Sequence, residues 1–444
     1  MDGAYSLRMA LWKRREYGLD TFAFFIDLVK AFDTVPRSAL WQVLRKFGLP
    51  EHVVRVIILL YKDIKIKVTV EEVSCLVDCT LGVKQGCPLS PILFLFYVQA
   101  CVETLELPED IKIIKFATFN DGIMRGRSSG LKRGVTIFEF WKSFYADDGA
   151  FLFVSRKDII GGGNAIFYHF VADGMHIHLG RNGGKSKSEA MYIPAFDTSP
   201  DELKLLTADF IIADGYVSFT DNFKYLGIII PSSLNDSLTI EARINAASCA
   251  FAASGWIFES RYVDLNVNVT LFQALIQTIL LYGSEIWIIK AADFRRLQTF
   301  YNHCIRKMYN LSWIKMWKQR ISQSFIENKL GIKSIKELIV QRQLSYAGHV
   351  FRMDWKTRLP RMFISSSIND AKRRRGGQYK SYGAVITDAL SYRGLDIDAL
   401  SYNNKRGWQY IRCAQRHEWR LFTRGEILDR GINFTTATWD TVPA

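Results

Sequence analysis

Thr21-Phe22-Ala23-Phe24-Phe25-Ile26-Asp27 decides how this chain folds: six β-prone apolar residues in a row, closed by a carboxylate. An unbroken apolar run, as opposed to an alternating one, predicts a strand covered on both faces. A second such run, Ala150-Phe151-Leu152-Phe153-Val154, is joined to Phe144-Tyr145-Ala146 by Asp147-Asp148-Gly149, a hairpin signal. Three acids thus sit at the ends of apolar strands, where an unpaired carboxylate is costly. No Lys or Arg adjoins them closely enough in sequence to be the obvious partner. A hard divalent cation with oxygen ligands suits such a set, and Mg²⁺ takes one or two protein carboxylates together with substrate phosphates. For the Asp147-Asp148 pair taken alone, a turn facing water is the competing reading.

Outward from these strands the chain reads as mixed up to about residue 235 and mostly helical after it. Tyr5–Tyr17, Ala39–Phe47 and Val53–Tyr61 follow helical spacing, Ile64–Val70 with Val73–Leu81 reads as a hairpin, and Ile92–Leu105 as a buried helix. Ile111–Phe119, Val135–Ala146, Ala190–Ile193 and Phe223–Ile230 are expected strands, and Gly161-Gly162-Gly163 a break before a helix at Ile166–Met175. Beyond Leu238 the apolar period becomes 3.6, with Ile240, Ile244, Ala247 and Phe251 on one face. Leu271, Leu275 and Ile279 form a second face, and Phe294, Leu297, Tyr301 and Met308 a third.

With 444 residues, 49% of them apolar, the chain can bury a sizeable core in two or three domains, which excludes a disordered scaffold or a disulfide-held miniprotein. Residues 291–444 hold 28 Lys/Arg against 12 Asp/Glu, while residues 1–290 hold 30 against 32. The net charge of +14 therefore belongs to the last third, as in a polyanion-binding appendage on a nearly neutral body. Seven scattered cysteines fit a reducing compartment. Neither a secretory signal nor a membrane span is expected.

Between the two acid sites lies Gly82-Val83-Lys84-Gln85-Gly86-Cys87-Pro88-Leu89-Ser90-Pro91, a loop whose glycines and prolines fix an unusual backbone in front of a helix. Phe25-Ile26-Asp27-Leu28-Val29-Lys30-Ala31-Phe32-Asp33-Thr34-Val35, this loop and Phe144-Tyr145-Ala146-Asp147-Asp148 together resemble the first catalytic blocks of the reverse transcriptases of non-LTR retrotransposons. Lys187-Ser188-Glu189 and Phe223-Lys224-Tyr225-Leu226-Gly227 are similar to the two blocks that follow, and all five stand in family order. The implied fold is α+β: a right-hand polymerase palm, an antiparallel sheet with packed helices, followed by an all-helical thumb and C-terminal region. The corresponding division is a fingers remnant at 1–20, palm at 21–235, thumb at 236–330 and a basic helical extension at 331–444.

The resemblance implies RNA-directed DNA polymerisation, with nucleotidyl transfer to a primer 3′-hydroxyl supported by two Mg²⁺ ions, for which Mn²⁺ can substitute. Asp27, Asp147 and Asp148 would be the metal ligands. Phe32 stands where a ring presses on the nucleotide sugar, Gln85 and Gly86 would line template and nascent base pair, and Lys187, with Lys185 as its rival, would face the triphosphate. Tyr225, Leu226 and Gly227 would grip the primer. Template RNA, primer DNA and deoxynucleoside triphosphates are the implied partners. Lys372-Arg373-Arg374-Arg375 is either a nucleic-acid-binding patch or a nuclear-localisation signal, and the implied location is nuclear. In the helical, basic last third, which would serve as thumb and template-binding surface, the Lys/Arg with Trp313, Trp317, Tyr346 and Trp355 suit phosphate contact plus stacking, although helix core is the preferred reading for most of these aromatics. Only 26 residues precede Asp27, so the resemblance also implies an N-terminally truncated copy. The alternative to an enzyme is then a nucleic-acid-binding remnant without polymerisation.

Overall fold

In a computed structural model of the chain, all residues are described except 71–72, 120–134, 182–183, 197, 261, 355, 365, 369–370, 372–380, 396–415 and 427–444. It divides into two compact units. One comprises Gly18–Lys115 and Glu139–Leu226, the other Met1–Tyr17, Phe116–Phe138 and Gly227–Ala444.

The first unit is built on a six-stranded sheet. Across it the strands run Lys142–Tyr145, Asp148–Phe153, Thr21–Ile26, Glu189–Ile193, Gly215–Phe219 and Phe210–Ile212. Neighbours are antiparallel except Glu189–Ile193 beside Gly215–Phe219, which is parallel. Thr21–Ile26 is central and buried at every position, as its apolar run demands. Phe24, Phe151, Phe153 and Phe170 are fully buried in the core beneath it, each contributing about 1.5–3 kcal/mol through burial.

Several expected boundaries move, two of them for a steric reason. The hairpin turn is Ala146-Asp147, not Asp147-Asp148-Gly149, because Tyr145 pairs with Asp148 and Gly149 already pairs inside the strand. A Cβ on Gly149 would lie 2.6 Å from Ile26 Cγ1, so the glycine serves close strand packing and not the turn. Gly161-Gly162-Gly163 breaks nothing: all three lie within the helix Arg156–Ala172. There a Cβ on Gly162 would press on the Phe153 ring, and one on Gly163 would lie 2.9 Å from Ile212 Cδ1. The expected strand Val135–Ala146 divides into Val135–Glu139 and Lys142–Tyr145. Phe223–Ile230 is interrupted at Leu226-Gly227, both of positive φ, leaving Asn222–Tyr225 and Ile228–Pro231. The helix after the Gly-Pro loop, Ser90–Thr104, is buried along one side only, with Ile92 and Leu95 exposed.

In the second unit, helices Ser237–Ala253, Ala291–Met308 and Ile335–Phe351 share an apolar core that includes Ile240, Leu297, Tyr301, Ile305 and Ile339. Phe272, Ile276 and Leu280 face inward, one residue along from the expected Leu271, Leu275 and Ile279 stripe, and Phe272–Gln277 is a π-helical turn. The helix Asp2–Glu16 belongs to this unit too. Its Arg8 forms a buried ion pair with Asp236, Tyr5 packs edge-on against Tyr346 and Tyr382, and the Tyr346 hydroxyl donates to Asp2. Ser366–Ser367 forms a short strand against Ala117 and Thr118, a departure from an entirely helical C-terminal region. No helix among the described residues is long and apolar enough to cross a membrane.

Candidate active site

The register of the sheet brings the three carboxylates to one edge. Phe25 pairs with Ala150 and Ile26 with Gly149, so the next step of the same ladder sets Asp27 level with Asp148. Asp147 follows Ala146 in the two-residue turn. Ala146 has a φ of 55, outside the comfortable range for a residue with a Cβ. Beside the turn Phe144 packs edge-on to Phe151, ring centres 5.3 Å apart.

Asp27 is half-buried, and its backbone is held from the opposite side. The Asp27 N–H donates to Ser188 Oγ at 3.0 Å, and its carbonyl accepts from the His178 N–H at 2.9 Å. Ser188 is fully buried, and Ser186 Oγ donates to its carbonyl at 2.6 Å. The Lys187 N–H between them donates to His178 Nδ1 at 3.2 Å, leaving the lysine side chain exposed. Ser186, Ser188 and His178 were not legible as site residues, because a backbone-fixing role leaves no motif beyond small polar residues around a lysine.

Asp148 lies on the surface, yet its carboxyl is raised above the usual carboxylate range. Loss of water around the group is the first cause, followed by the like charges of Asp147 and Asp27. Such mutual repulsion is what a divalent cation would relieve, and an all-oxygen donor set matches Mg²⁺ chemistry. Among the described residues no group of three His, Cys, Asp or Glu side chains is placed so that it could hold a metal ion by itself. Mg²⁺ does not require one, since it keeps waters and binds substrate phosphates as well.

A proton bound more tightly in the folded state favours folding at low pH, and that contribution is lost as pH rises through the raised value. At neutral pH the Asp148 charge is therefore a cost. In buffer free of divalent cations, Asp148→Asn is expected to raise the unfolding temperature at pH 7 by roughly 1–2 °C. The gain should vanish below about pH 4, the ordinary aspartate range. Differential scanning fluorimetry across pH checks this, and an unchanged or lower value at pH 7 would contradict it.

The loop Gly82–Pro91 is laced to the segment just after Asp27. The Val83 N–H donates to the Phe32 carbonyl at 2.8 Å, and the Gly82 N–H to that of Val35 at 2.9 Å. A Cβ on Gly82, whose φ is 75, would lie 2.7 Å from the Asp33 backbone. Gln85 Nε2 donates to Asp33 Oδ1 at 3.0 Å. Phe32, Gln85 and Gly86 line a cavity of about 410 Å³ together with Lys84, Cys87 and Ser90. The Phe32 ring is half-buried and stacks on Phe94 with ring centres 4.5 Å apart, so it has a core face and a cavity face.

Tyr225 is buried rather than presented. Its ring lies 6.2 Å from that of Phe25, its hydroxyl is 3.3 Å from Ser143 Oγ, and burial pushes its proton affinity up, with Asp148 adding to the shift. Leu226 and Gly227 form the turn beyond it, both half-buried. In the helical unit the Gly227 carbonyl accepts from Arg243, whose guanidinium lies 4.5 Å from the centre of the Tyr282 ring. The basic run Lys372–Arg375 lies outside the described residues.

A sequence profile described as reverse transcriptase (RNA-dependent DNA polymerase) matches residues 6–230, just over half of the chain. A transposon-derived protein of Caenorhabditis elegans is 26% identical over 132 residues, which make up 30% of this chain and 47% of that relative. The chain thus spans about half the length of the curated relative it matches. With the carboxylates at one sheet edge and the profile running through every element that positions them, the chain belongs to the reverse transcriptase family.

Proposed function

We propose that this chain is the RNA-directed DNA polymerase of a non-LTR retrotransposon, copying template RNA by adding deoxynucleotides to a primer 3′-hydroxyl. The observation that carries this reading is the strand register that sets Asp27 level with Asp148, beside Asp147 in the turn. On this reading residues 21–235 are palm, 236–330 thumb, 1–20 what corresponds to fingers, and 331–444 a basic extension. Asp27, Asp147 and Asp148 hold Mg²⁺, which when bound supplies charge stabilisation to the phosphoryl group in transfer. Ser188 and His178 hold the Asp27 backbone so that its carboxylate keeps one direction. Gln85 and Gly86 receive template and base pair, and exposed Lys187 offers its ammonium to the triphosphate. The Leu226-Gly227 turn meets the primer with main-chain groups, while buried Tyr225 supports it from beneath. Lys372–Arg375 adds phosphate contacts or a nuclear address.

Primer extension on an oligonucleotide-primed RNA template, with Mg²⁺ and deoxynucleotides, tests the reading. Extended product is expected; its absence from folded, RNA-bound protein would leave a nucleic-acid-binding remnant. The cavity face of Phe32 suits exclusion of a ribose 2′-hydroxyl. Phe32→Ala is therefore expected to lower the preference for deoxynucleotides over ribonucleotides by roughly 10–100-fold in single-nucleotide incorporation. An unchanged ratio would remove Phe32 from that role.

A further inference from the structure

Residues 294–323 of the helical unit contain seven Lys/Arg and no Asp/Glu. Two of the seven are spoken for: Arg296 pairs with Glu241 and Lys307 with Glu259. Arg295, Arg306, Lys315, Lys318 and Arg320 make no ion pair among the described residues. The positive charge of the segment is felt at His303, whose proton affinity is lowered first by burial and then by Arg306 and Lys307.

Two tryptophans stand in the same segment and depart from the core assignment that their sequence context invites. Trp313 is 67% exposed and Trp317 76%, one turn apart on the helix Trp313–Gln319, which is anchored through buried Met316. Tyr346, by contrast, is buried as expected. Indole rings left in water at this spacing are an expensive surface for a fold to keep without use. The Arg306 guanidinium lies 5.5 Å from the centre of the Trp313 ring. A cavity of about 860 Å³ is lined by Asn302, Arg306, Trp313, Trp317, Lys318 and Arg320. An adjoining one of about 520 Å³ shares Arg306 and is lined by Arg295, Arg296 and His303.

We propose that this surface is a binding platform for single-stranded RNA, whose bases stack on Trp313 and Trp317 while Arg306, Lys318 and Arg320 hold its phosphates. Cations without acids select a polyanion, and open indole faces select one whose bases are unstacked. A duplex offers its phosphates but not its base faces. The choice of RNA over DNA rests on the polymerase reading above; the stacking and charge arguments do not.

The test is fluorescence anisotropy with a labelled oligoribonucleotide of roughly 12 nucleotides. Protein carrying Asp147→Asn is used, without divalent cations or nucleotides, so that no polymerisation enters the readout. Trp313→Ala/Trp317→Ala is expected to weaken binding roughly 10–100-fold, while Trp313→Phe/Trp317→Phe, which keeps aromatic faces, stays within about 3-fold of the parent. Affinity for blunt duplex RNA should change less than about 3-fold. Lys318→Gln/Arg320→Gln should reduce the slope of log affinity against log salt by about 1.4.

Unchanged affinity in an alanine variant whose circular dichroism is native would overturn the platform, as would an equal loss on duplex or a loss confined to single-stranded DNA. A change from oligomer to monomer in sedimentation, with RNA affinity intact, would make the surface a protein contact instead. Tryptophan-dependent RNA binding in a chain that never extends a primer keeps the platform and sinks the polymerase reading. Active polymerase with tryptophan-independent binding does the reverse.

Discussion

Asp147→Asn and Asp27→Asn are each expected to reduce primer extension by at least roughly a thousand-fold. Asparagine keeps the volume and one oxygen of aspartate but removes the negative charge that a hard cation requires. A metal ion's stabilisation of phosphoryl-transfer charge amounts to several kcal/mol, and each 1.36 kcal/mol is a factor of ten in rate. Asp33→Asn is the matched control. Asp33 lies in the same motif and is exposed, but its carboxylate receives Gln85 Nε2 instead of sharing the sheet edge. Its loss should cost less than about 10-fold, the scale of one surface hydrogen bond. Single-nucleotide incorporation under saturating template separates the outcomes. Equal losses for Asp33 and Asp147 would mean that fold damage, not lost charge, explains both, and full activity in Asp147→Asn would end the metal assignment.

The largest effect on stability is expected at Gly162. Replacing a helical glycine with alanine ordinarily gains about 1 kcal/mol, and Gly161 allows it. A Cβ there would lie 3.4 Å from Ile111 Cδ1, an ordinary contact. At Gly162 the same atom would press on the ring of Phe153, which is fully buried between sheet and helix and has nowhere to turn. Overpacking of that kind costs about 1–3 kcal/mol even for small additions, more than the propensity gain. Gly161→Ala is therefore expected to raise the melting temperature by roughly 2–4 °C. Gly162→Val, which combines the clash with a branched side chain, should lower it by roughly 6–12 °C. Adjacent glycines moving in opposite directions in calorimetry would establish the close helix–sheet approach. Equal behaviour would refute it.

Gly162 also illustrates where the sequence was readable and where it was not. Thr21–Ile26 and Asp148–Phe153 were legible because unbroken apolar runs permit few alternatives, and the acids at their ends stood out against them. Three consecutive glycines read as a break because local propensity is blind to the Phe153 ring that requires Gly162 and the Ile212 side chain that crowds Gly163. The hairpin turn read one residue late for the same reason, since Gly149 serves packing against Ile26 and Phe144. The apolar stripe read one residue early, because a spacing of four fits either set and Leu271 and Ile279 also flank the core. At the candidate site the carboxylates and the glycine loop were visible as motifs. Ser188 and His178 were not, because they act through main-chain hydrogen bonds. Trp313 and Trp317 were misread because amphipathic spacing cannot say which side of a short helix faces water.

The ion pair between Arg8 and Asp236 also sets an order of events at the ribosome. The first helix emerges early, but the aspartate that neutralises its arginine is made more than two hundred residues later, and the Tyr346 hydroxyl later still. At about 5–20 residues per second, the nascent helix waits on the order of tens of seconds before Arg8 and Asp2 can meet their partners. Meanwhile every strand of the central sheet has already been synthesised by residue 219. The helix Asp2–Glu16 is thus made before the central sheet yet fixed only after it, and in the interval a holdase or bound polyanion has an arginine-rich segment to shelter.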